Sequence, residues 1–328
     1  MTGPRVLTVI LNWRTPDMTL RAVKAARLAM QGLDGTITVV DNASGDGSED
    51  ALRTGTRDMA DVRVIQSGRN GGYGAGNNAG IRAGLPGGQR PDYIYILNSD
   101  AFPAPDAIRA LVSHLETHPK TGFAGSHIHG PEGDPHRTAF RFPSVAGEFE
   151  AQVRFGPVSR LLRNAIVAQP LPTVSTRVDW LAGASLMMRM DVLDRIGLFD
   201  ETFFLYFEET ELCRRAAASG WPADYVVTSR VAHIGSVSTG MKECRRMPAY
   251  WFDSRWHYFT KVHGRAYAIA STLAALSGGA LWRLRLLVQR RDRGDPPHFL
   301  RDMARHHLRA ILSPKTPAKA GQPTRPAE

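Results

Sequence analysis

Three carboxylates, Glu208, Glu209 and Glu211, stand within four residues, directly after Phe203-Phe-Leu-Tyr-Phe207, where four of five side chains are aromatic. Acids in a first helical turn stabilise the helix dipole, which accounts for part of this pattern. Carboxylates so close together also repel one another unless a cation or a substrate hydroxyl is near. An apolar wall beside them raises their pKa, which suits a general base. Asp100 is the next candidate. It follows the apolar run Tyr93-Ile-Tyr-Ile-Leu97 through Asn98 and Ser99. A hard carboxylate oxygen at the end of such a run can anchor a divalent cation on a diphosphate leaving group. A turn aspartate ahead of Pro103 would have the same local sequence. His233, in Val231-Ala-His-Ile-Gly-Ser236, fits either a metal ligand or a structural hydrogen-bonder. Within Gly71–Gly80 (GGYGAGNNAG), the stretch Gly74-Ala-Gly-Asn-Asn-Ala79 matches the loose dinucleotide fingerprint. That fingerprint belongs to a first strand–helix turn, and here it follows the third apolar run, which disfavours a nicotinamide enzyme.

The elements that must position these residues alternate between strand and helix signals. Val6–Leu11, Ile37–Val40, Val62–Ile65 and Tyr93–Leu97 read as strands. Thr15-Pro16-Asp17 reads as a helix start with a capping hydroxyl, followed by helical periodicity from Met18 to Met30. Pro105-Asp106 opens another helix, through about Thr117. Such alternation predicts an α/β fold with a mainly parallel, Rossmann-like sheet and flanking helices. Ligands of these sheets collect at the carboxyl ends of the strands, and Asn12, Asp41 and Asp100 all fall there. Ser126–Val178 is irregular and reads as a variable substrate region, and Asp224–Thr228 as a later strand ahead of His233.

With 43% hydrophobic and 22% charged residues, the 328-residue chain has the composition of a globular protein. The run from Val6 to Leu11 is too short for a secretion signal, and Cys213 and Cys244 cannot build a disulfide framework, so a reducing cytoplasm is expected. Of the net charge of +10, Arg283–Glu328 carries eleven Lys/Arg less four Asp/Glu, or +7. The nearly neutral body excludes a protein that binds nucleic acid by bulk charge. Ala266–Trp282, seventeen residues without a charge, falls short of a transmembrane span and leads into a basic amphipathic stretch with Arg283, Arg285, Arg290, Arg291 and Arg293. Apolar burial beside arginines suits an anionic membrane surface, while a helical pair packed on the core fits the same residues. The expected organisation is a nucleotide-binding half over 1–125, an acceptor and catalytic half over 126–240, a helical, membrane-associating extension over 241–312 and a disordered tail over 313–328.

In their order along the chain, VILNWRTPD, TVVDNASGDGS, RNGGYGAGNNAGI, YILNSDA, VDWLAGASLMMR, GLFDETFFLYFEETELCRR, GW and HIGS resemble the family-2 glycosyltransferases, in particular the bacterial rhamnosyltransferase-like group. The resemblance covers roughly Val6 to Ser238. It implies a GT-A fold, an inverting single displacement, and a nucleotide-diphosphate sugar donor, dTDP-rhamnose or a UDP-sugar, used with Mn²⁺ or Mg²⁺. The implied acceptor is a glycan or a polyprenyl-linked sugar in bacterial surface polysaccharide synthesis. Carried over by residue, Asp41 matches the acid that contacts the nucleobase, with Asn12 beside that pocket. Gly72, Asn77 and Asn78 match the loop that closes over the nucleotide. Asp100 matches the last acid of the metal-binding element, whose first position is Asn98 here, and His233 matches a second metal ligand. Trp180 and Gly183 match the lining of the sugar and acceptor cleft. Glu208-Glu209 matches a Glu-Asp pair whose second member is the base, and Glu at that position adds a methylene to the side chain. A relative that binds nucleotide sugar without turnover would be expected to lack Asp100 or the carboxylate pair, and both are present.

Overall fold

The computed structural model describes residues 3–235, 246–290 and 296–312. Ser236, Cys244, Arg291, Arg293 and the expected tail over 313–328 lie outside the described residues. In chain order the elements are β1 (Arg5–Asn12), α1 (Pro16–Ala29), β2 (Asp34–Asp41), α2 (Ser48–Gly55), β3 (Val62–Gln66), α3 (Tyr73–Arg82), β4 (Tyr93–Asn98) and β5 (Ala101–Pro103). Then follow α4 (Ala107–Thr117), β6 (Phe123–His129), β7 (Ala139–Phe140), α5 (Val145–Val153), α6 (Gly156–Leu161), β8 (Thr176–Val178), β9 (Trp180–Leu181) and β10 (Ser185–Arg189). The chain continues through α7 (Met190–Ile196), α8 (Glu208–Ala218), β11 (Ala223–His233), α9 (Ala249–His263), α10 (Arg265–Gln289) and α11 (Phe299–Leu312). The described residues form two compact units, one from 3–140, 170–201 and 208–235, the other from 141–169, 202–207, 246–290 and 296–312.

The first unit is built on a nine-stranded sheet in the order β3-β2-β1-β4-β10-β6-β11-β5, with β8 paired to β11. Its parallel pairings join β3, β2, β1 and β4, and recur between β6 and β11. The strands β10, β5 and β8 are antiparallel to their neighbours. Helices cover both faces of β1, which is why its sequence is a continuous apolar run. The even-numbered side chains face α1, as in the buried contact from the Thr8 hydroxyl to the Met30 sulfur at 3.5 Å. On the other face Val9 and Leu11 meet α3, where glycines admit close approach: a Cβ on Gly80 would stand 2.5 Å from Val9 Cγ1 and one on Gly76 2.4 Å from Leu11 Cδ1. The glycine-rich segment is thus a helix lying on the strand, and its glycines serve packing. In α1, Pro16 and Asp17 occupy the first turn as expected, but the Thr15 side chain makes no capping bond and turns back to Asn12 Oδ1 at 3.4 Å.

The second unit is helical. Part of the region that reads as irregular from sequence, α5 and α6, belongs to it. The long helix α10 packs along α5, and a Cβ on Gly278 would lie 2.6 Å from the Phe149 carbonyl oxygen. Arg255 is fully buried here, paired with Glu148 at 2.7 Å and bonded to the Thr272 hydroxyl at 3.2 Å. No helix among the described residues is long and apolar enough to cross a membrane.

Candidate active site

Register alone gathers the first group. Asn12 pairs with Asp41 across β1 and β2, so their side chains share one face at the carboxyl ends of neighbouring parallel strands, while Asn98, paired with Leu11 across β1 and β4, ends its strand on the other face. Asp41 is 1% exposed. Its Oδ1 accepts from Asn12 Nδ2 at 2.7 Å and from the Ser44 hydroxyl at 2.5 Å, and its Oδ2 from the Ser44 N–H at 3.0 Å and from Gln66 Nε2 at 2.9 Å. Burial opposes its charge most strongly, yet these donors together hold the carboxyl below its ordinary range. Asn12 is spent on the fold: its Oδ1 accepts from Thr15 and, at 2.8 Å, from the Thr19 hydroxyl.

Asp100 and His233 are distant in sequence and adjacent in space. The antiparallel pairing of β11 with β5 sets His233 opposite Ala101, and the Ile234 N–H donates to the Asp100 carbonyl at 3.1 Å. His233 Nε2 then lies 3.1 Å from Asp100 Oδ1 and 3.4 Å from Asn98 Nδ2. A hard carboxylate oxygen and an imidazole nitrogen side by side are donors that suit a divalent cation. Among the described residues no group of three or more His, Cys, Asp or Glu gathers as a metal cluster.

The carboxylates begin α8. Glu208 is 2% exposed and Glu209 half-buried, and the Oε2 atom of each is out of solvent with no hydrogen-bond partner among the described residues. Burial, and then the charge of Glu209, pushes Glu208 well above the usual carboxylate range. Burial also raises Glu209, opposed by its own N–H and by the N–H of Gly183. The expectation of a raised pKa is met, with burial as its chief cause. Two residues with φ near 70°, Tyr206 and Phe207, precede the helix, a conformation that side chains of this size rarely adopt.

Tyr73 is a residue that sequence reasoning passed over. Its hydroxyl donates to the Gly183 carbonyl at 2.6 Å, and its ring meets Phe199 edge-on at 6.1 Å. Burial, and then the charges of Glu209, Glu208 and Asp100, push its phenol well above the usual range. The one available signal was an aromatic among the glycines of GGYGAGNNAG. Gly72 supplies the turn ahead of it, with φ 88° and ψ −173°, a conformation essentially confined to glycine. Asn77 and Asn78 lie on α3 and not in a loop. Asn78 clamps the backbone of Phe199, donating to its carbonyl at 2.8 Å and accepting from its N–H at 3.1 Å. Asn77 donates to the Tyr73 carbonyl, and its buried Oδ1 has no partner among the described residues. Trp180 stacks on Phe140 at 4.1 Å.

The family model described as "Glycosyltransferase like family 2" matches residues 4–265. The chain belongs to this family. Its similarity extends to the N-acetylglucosaminyl-diphospho-decaprenol L-rhamnosyltransferase of Mycobacterium tuberculosis, 29% identical over 66% of this chain and 71% of that protein. The low-salt glycan biosynthesis hexosyltransferase Agl10 of Haloferax volcanii is 31% identical over 54% of this chain and 52% of its own length. Among solved structures, the mannosyltransferase PcManGT of Pyrobaculum calidifontis, in complex with GDP-Man and Mn²⁺, superposes with a TM-score of 0.58. That match covers 97% of this chain and 82% of PcManGT at 16% identity, a likeness of fold. The α/β architecture described above is therefore the GT-A fold, and the chain is a glycosyltransferase.

Proposed function

We propose that this family-2 glycosyltransferase transfers a rhamnosyl group, with inversion, from a nucleotide-diphosphate donor to a hydroxyl of a glycan or polyprenyl-linked acceptor in bacterial surface polysaccharide synthesis. The observations that carry the reaction class are the carboxylates at the start of α8, where Gly183 bonds both Glu209 and the Tyr73 hydroxyl, and the Asp100–His233 pair at 3.1 Å. The rhamnosyl group and the lipid-linked acceptor are supported by the relative named for L-rhamnosyl transfer to N-acetylglucosaminyl-diphospho-decaprenol. Either dTDP-rhamnose or a UDP-sugar fits the donor role.

In this reading a thymine or uracil imide N–H reaches Asp41 by replacing the Gln66 amide, which also bonds Glu49 at 2.8 Å. Asn12 and Ser44 keep the carboxylate ionised and aimed while that exchange occurs. Gly72, Asn77 and Asn78 carry the start of α3 against the donor, and Trp180 and Gly183 line the cleft for sugar and acceptor. Asp100 and His233, with Asn98 beside them, would hold a Mn²⁺ or Mg²⁺ ion, which when bound neutralises charge on the diphosphate. Glu209 takes the proton of the acceptor hydroxyl as that oxygen bonds to the anomeric carbon and the bond to the diphosphate breaks. One displacement inverts the centre and needs no enzyme nucleophile. A polyprenyl-linked acceptor sets this work at the inner face of the cytoplasmic membrane.

The test is a screen of nucleotide sugars for hydrolysis and transfer, with Mn²⁺, with Mg²⁺ and with chelator. Turnover of dTDP-rhamnose above the other donors, lost in chelator, is the expected result. Turnover confined to a GDP-sugar, or unaffected by chelator, would refute the donor or the cation respectively.

A further inference from the structure

Helix α10 has two faces of different character. On one, Ser271, Ala275, Gly278, Gly279 and Trp282 are buried within the helical unit, so the small residues of the uncharged stretch form a helix-packing seam. On the other, Leu273, Leu281, Leu284, Leu287 and Val288 are 61%, 51%, 59%, 73% and 77% exposed. Leu281, Leu284, Leu287 and Val288 are spaced by three, four and seven, Leu273 stands eight residues before Leu281 on the same strip, and Ser277 and Ala280 between them are exposed and uncharged too. The strip runs about 22 Å along the helix at 1.5 Å per residue. Single exposed leucines are ordinary on a protein surface, whereas five in one row are not.

Charge says what covers this strip. Arg283 lies about 100° to one side of Leu284, and Arg285 about 100° to the other, at 100° per residue. The helix contains no Asp or Glu. Arg285 stacks over Phe155, itself 42% exposed, at 4.9 Å, which extends the apolar surface beyond the helix. An apolar row with cations along both edges and no acid matches the boundary between acyl chains and anionic headgroups. A second copy of the chain would bring arginines against arginines.

We infer that this face of α10, with Phe155, seats in the headgroup region of an anionic bilayer. The contact lies toward the end of the helix rather than along the whole uncharged stretch. It deepens the function proposed above and rests on that reading for its purpose, which is to hold the enzyme beside an acceptor that cannot leave the membrane. Its test stands apart.

Full-length protein is floated with vesicles of phosphatidylcholine alone and of phosphatidylcholine with phosphatidylglycerol, at low and high salt. The same is done with the triple variant Leu284→Glu, Leu287→Glu, Val288→Glu. Wild type should float with the anionic vesicles and be weakened by salt, and the variant should bind at least about tenfold less, since three apolar side chains leave the lipid. Circular dichroism and donor hydrolysis should be the same for both, because none of the three residues faces the core. Equal flotation of the two proteins, or none by wild type, would overturn the inference. So would a dimer by light scattering that the variant abolishes, since the face would then belong to a second copy. Loss of donor hydrolysis by wild type with flotation intact would refute the proposed transferase reading and leave the membrane face standing.

Discussion

Glu208 and Glu209 are neighbours in sequence with unequal surroundings. Glu209 receives the Gly183 N–H, whereas Glu208 faces burial and its neighbour's charge without that donor. That donor favours the ionised form of Glu209, as the proposed base requires. Glu209→Gln should lower turnover by roughly 10²–10⁴ with donor affinity little changed. A dead Glu208→Gln beside an active Glu209→Gln would exchange the roles. The raised affinity for protons also predicts a stability effect. A carboxyl whose folded pKa lies above its unfolded value of about 4.3 costs the fold stability as pH rises from there through the folded pKa. Glu208→Gln should thus raise the melting temperature at pH 7, by a few degrees for about 1 kcal/mol, and match wild type near pH 4, as calorimetry at the two pH values would reveal. Asp100→Ala should reduce transfer by roughly 10²–10³ with an unchanged circular dichroism spectrum, because the residue lies in the turn between β4 and β5, outside the strand cores. His233→Ala should be partly rescued by excess Mn²⁺.

Helix α3 shows how an element is held for such a site. Gly76 and Gly80 bring its axis down onto β1, Gly72 makes the turn into it, and Tyr73 at its start reaches across to Gly183. Gly80→Ala places a methyl 2.5 Å from Val9 and 3.0 Å from Val40, inside a packed core. It should destabilise by about 1–3 kcal/mol, as overpacking does, measured by urea unfolding. A midpoint equal to wild type would mean that α3 can lift from the sheet at no cost. The glycines of this segment were easy to find and their purpose was not. In a one-dimensional pattern, a glycine that admits a ligand's phosphate looks the same as one that admits a valine. The strand β11 makes a related point, since its antiparallel pairing with β5 is what sets His233 beside Asp100.

For the molecule as a whole, the helical unit depends on polar groups sealed from water. Buried His307 lies 2.9 Å from the Thr272 hydroxyl and 3.3 Å from the Phe252 carbonyl, and burial with the nearby Arg255 lowers its pKa to about 3. The folded chain thus keeps this ring neutral at pH values where an unfolded chain, with a pKa of about 6.5, takes up a proton. Stability from this group is whole above that value and is lost as pH falls from 6.5 towards 3. The expected outcome is a melting temperature that drops across this window, with the His307 ring still neutral by NMR at pH 5. A protonated ring in the folded protein at pH 5 would contradict the buried geometry.

Much of this protein is legible along the chain. The apolar runs that became β1 to β4, the helix starts at Pro16 and before Ala107, and the polar residues ending the strands are local patterns, decided by periodicity and by which residues tolerate a turn. The ordered motifs carry the family because each is also a local string. Pairing across long separations is not local. That Asp100 meets His233 follows from the antiparallel register of β5 and β11, and that Gly183 joins Tyr73 to Glu209 follows from the packing of three separate elements. Nor could composition divide α10 between a buried seam and an exposed row. Its leucines and small residues are alike uncharged, and only the helices packed around it determine which of them water, or a bilayer, can reach.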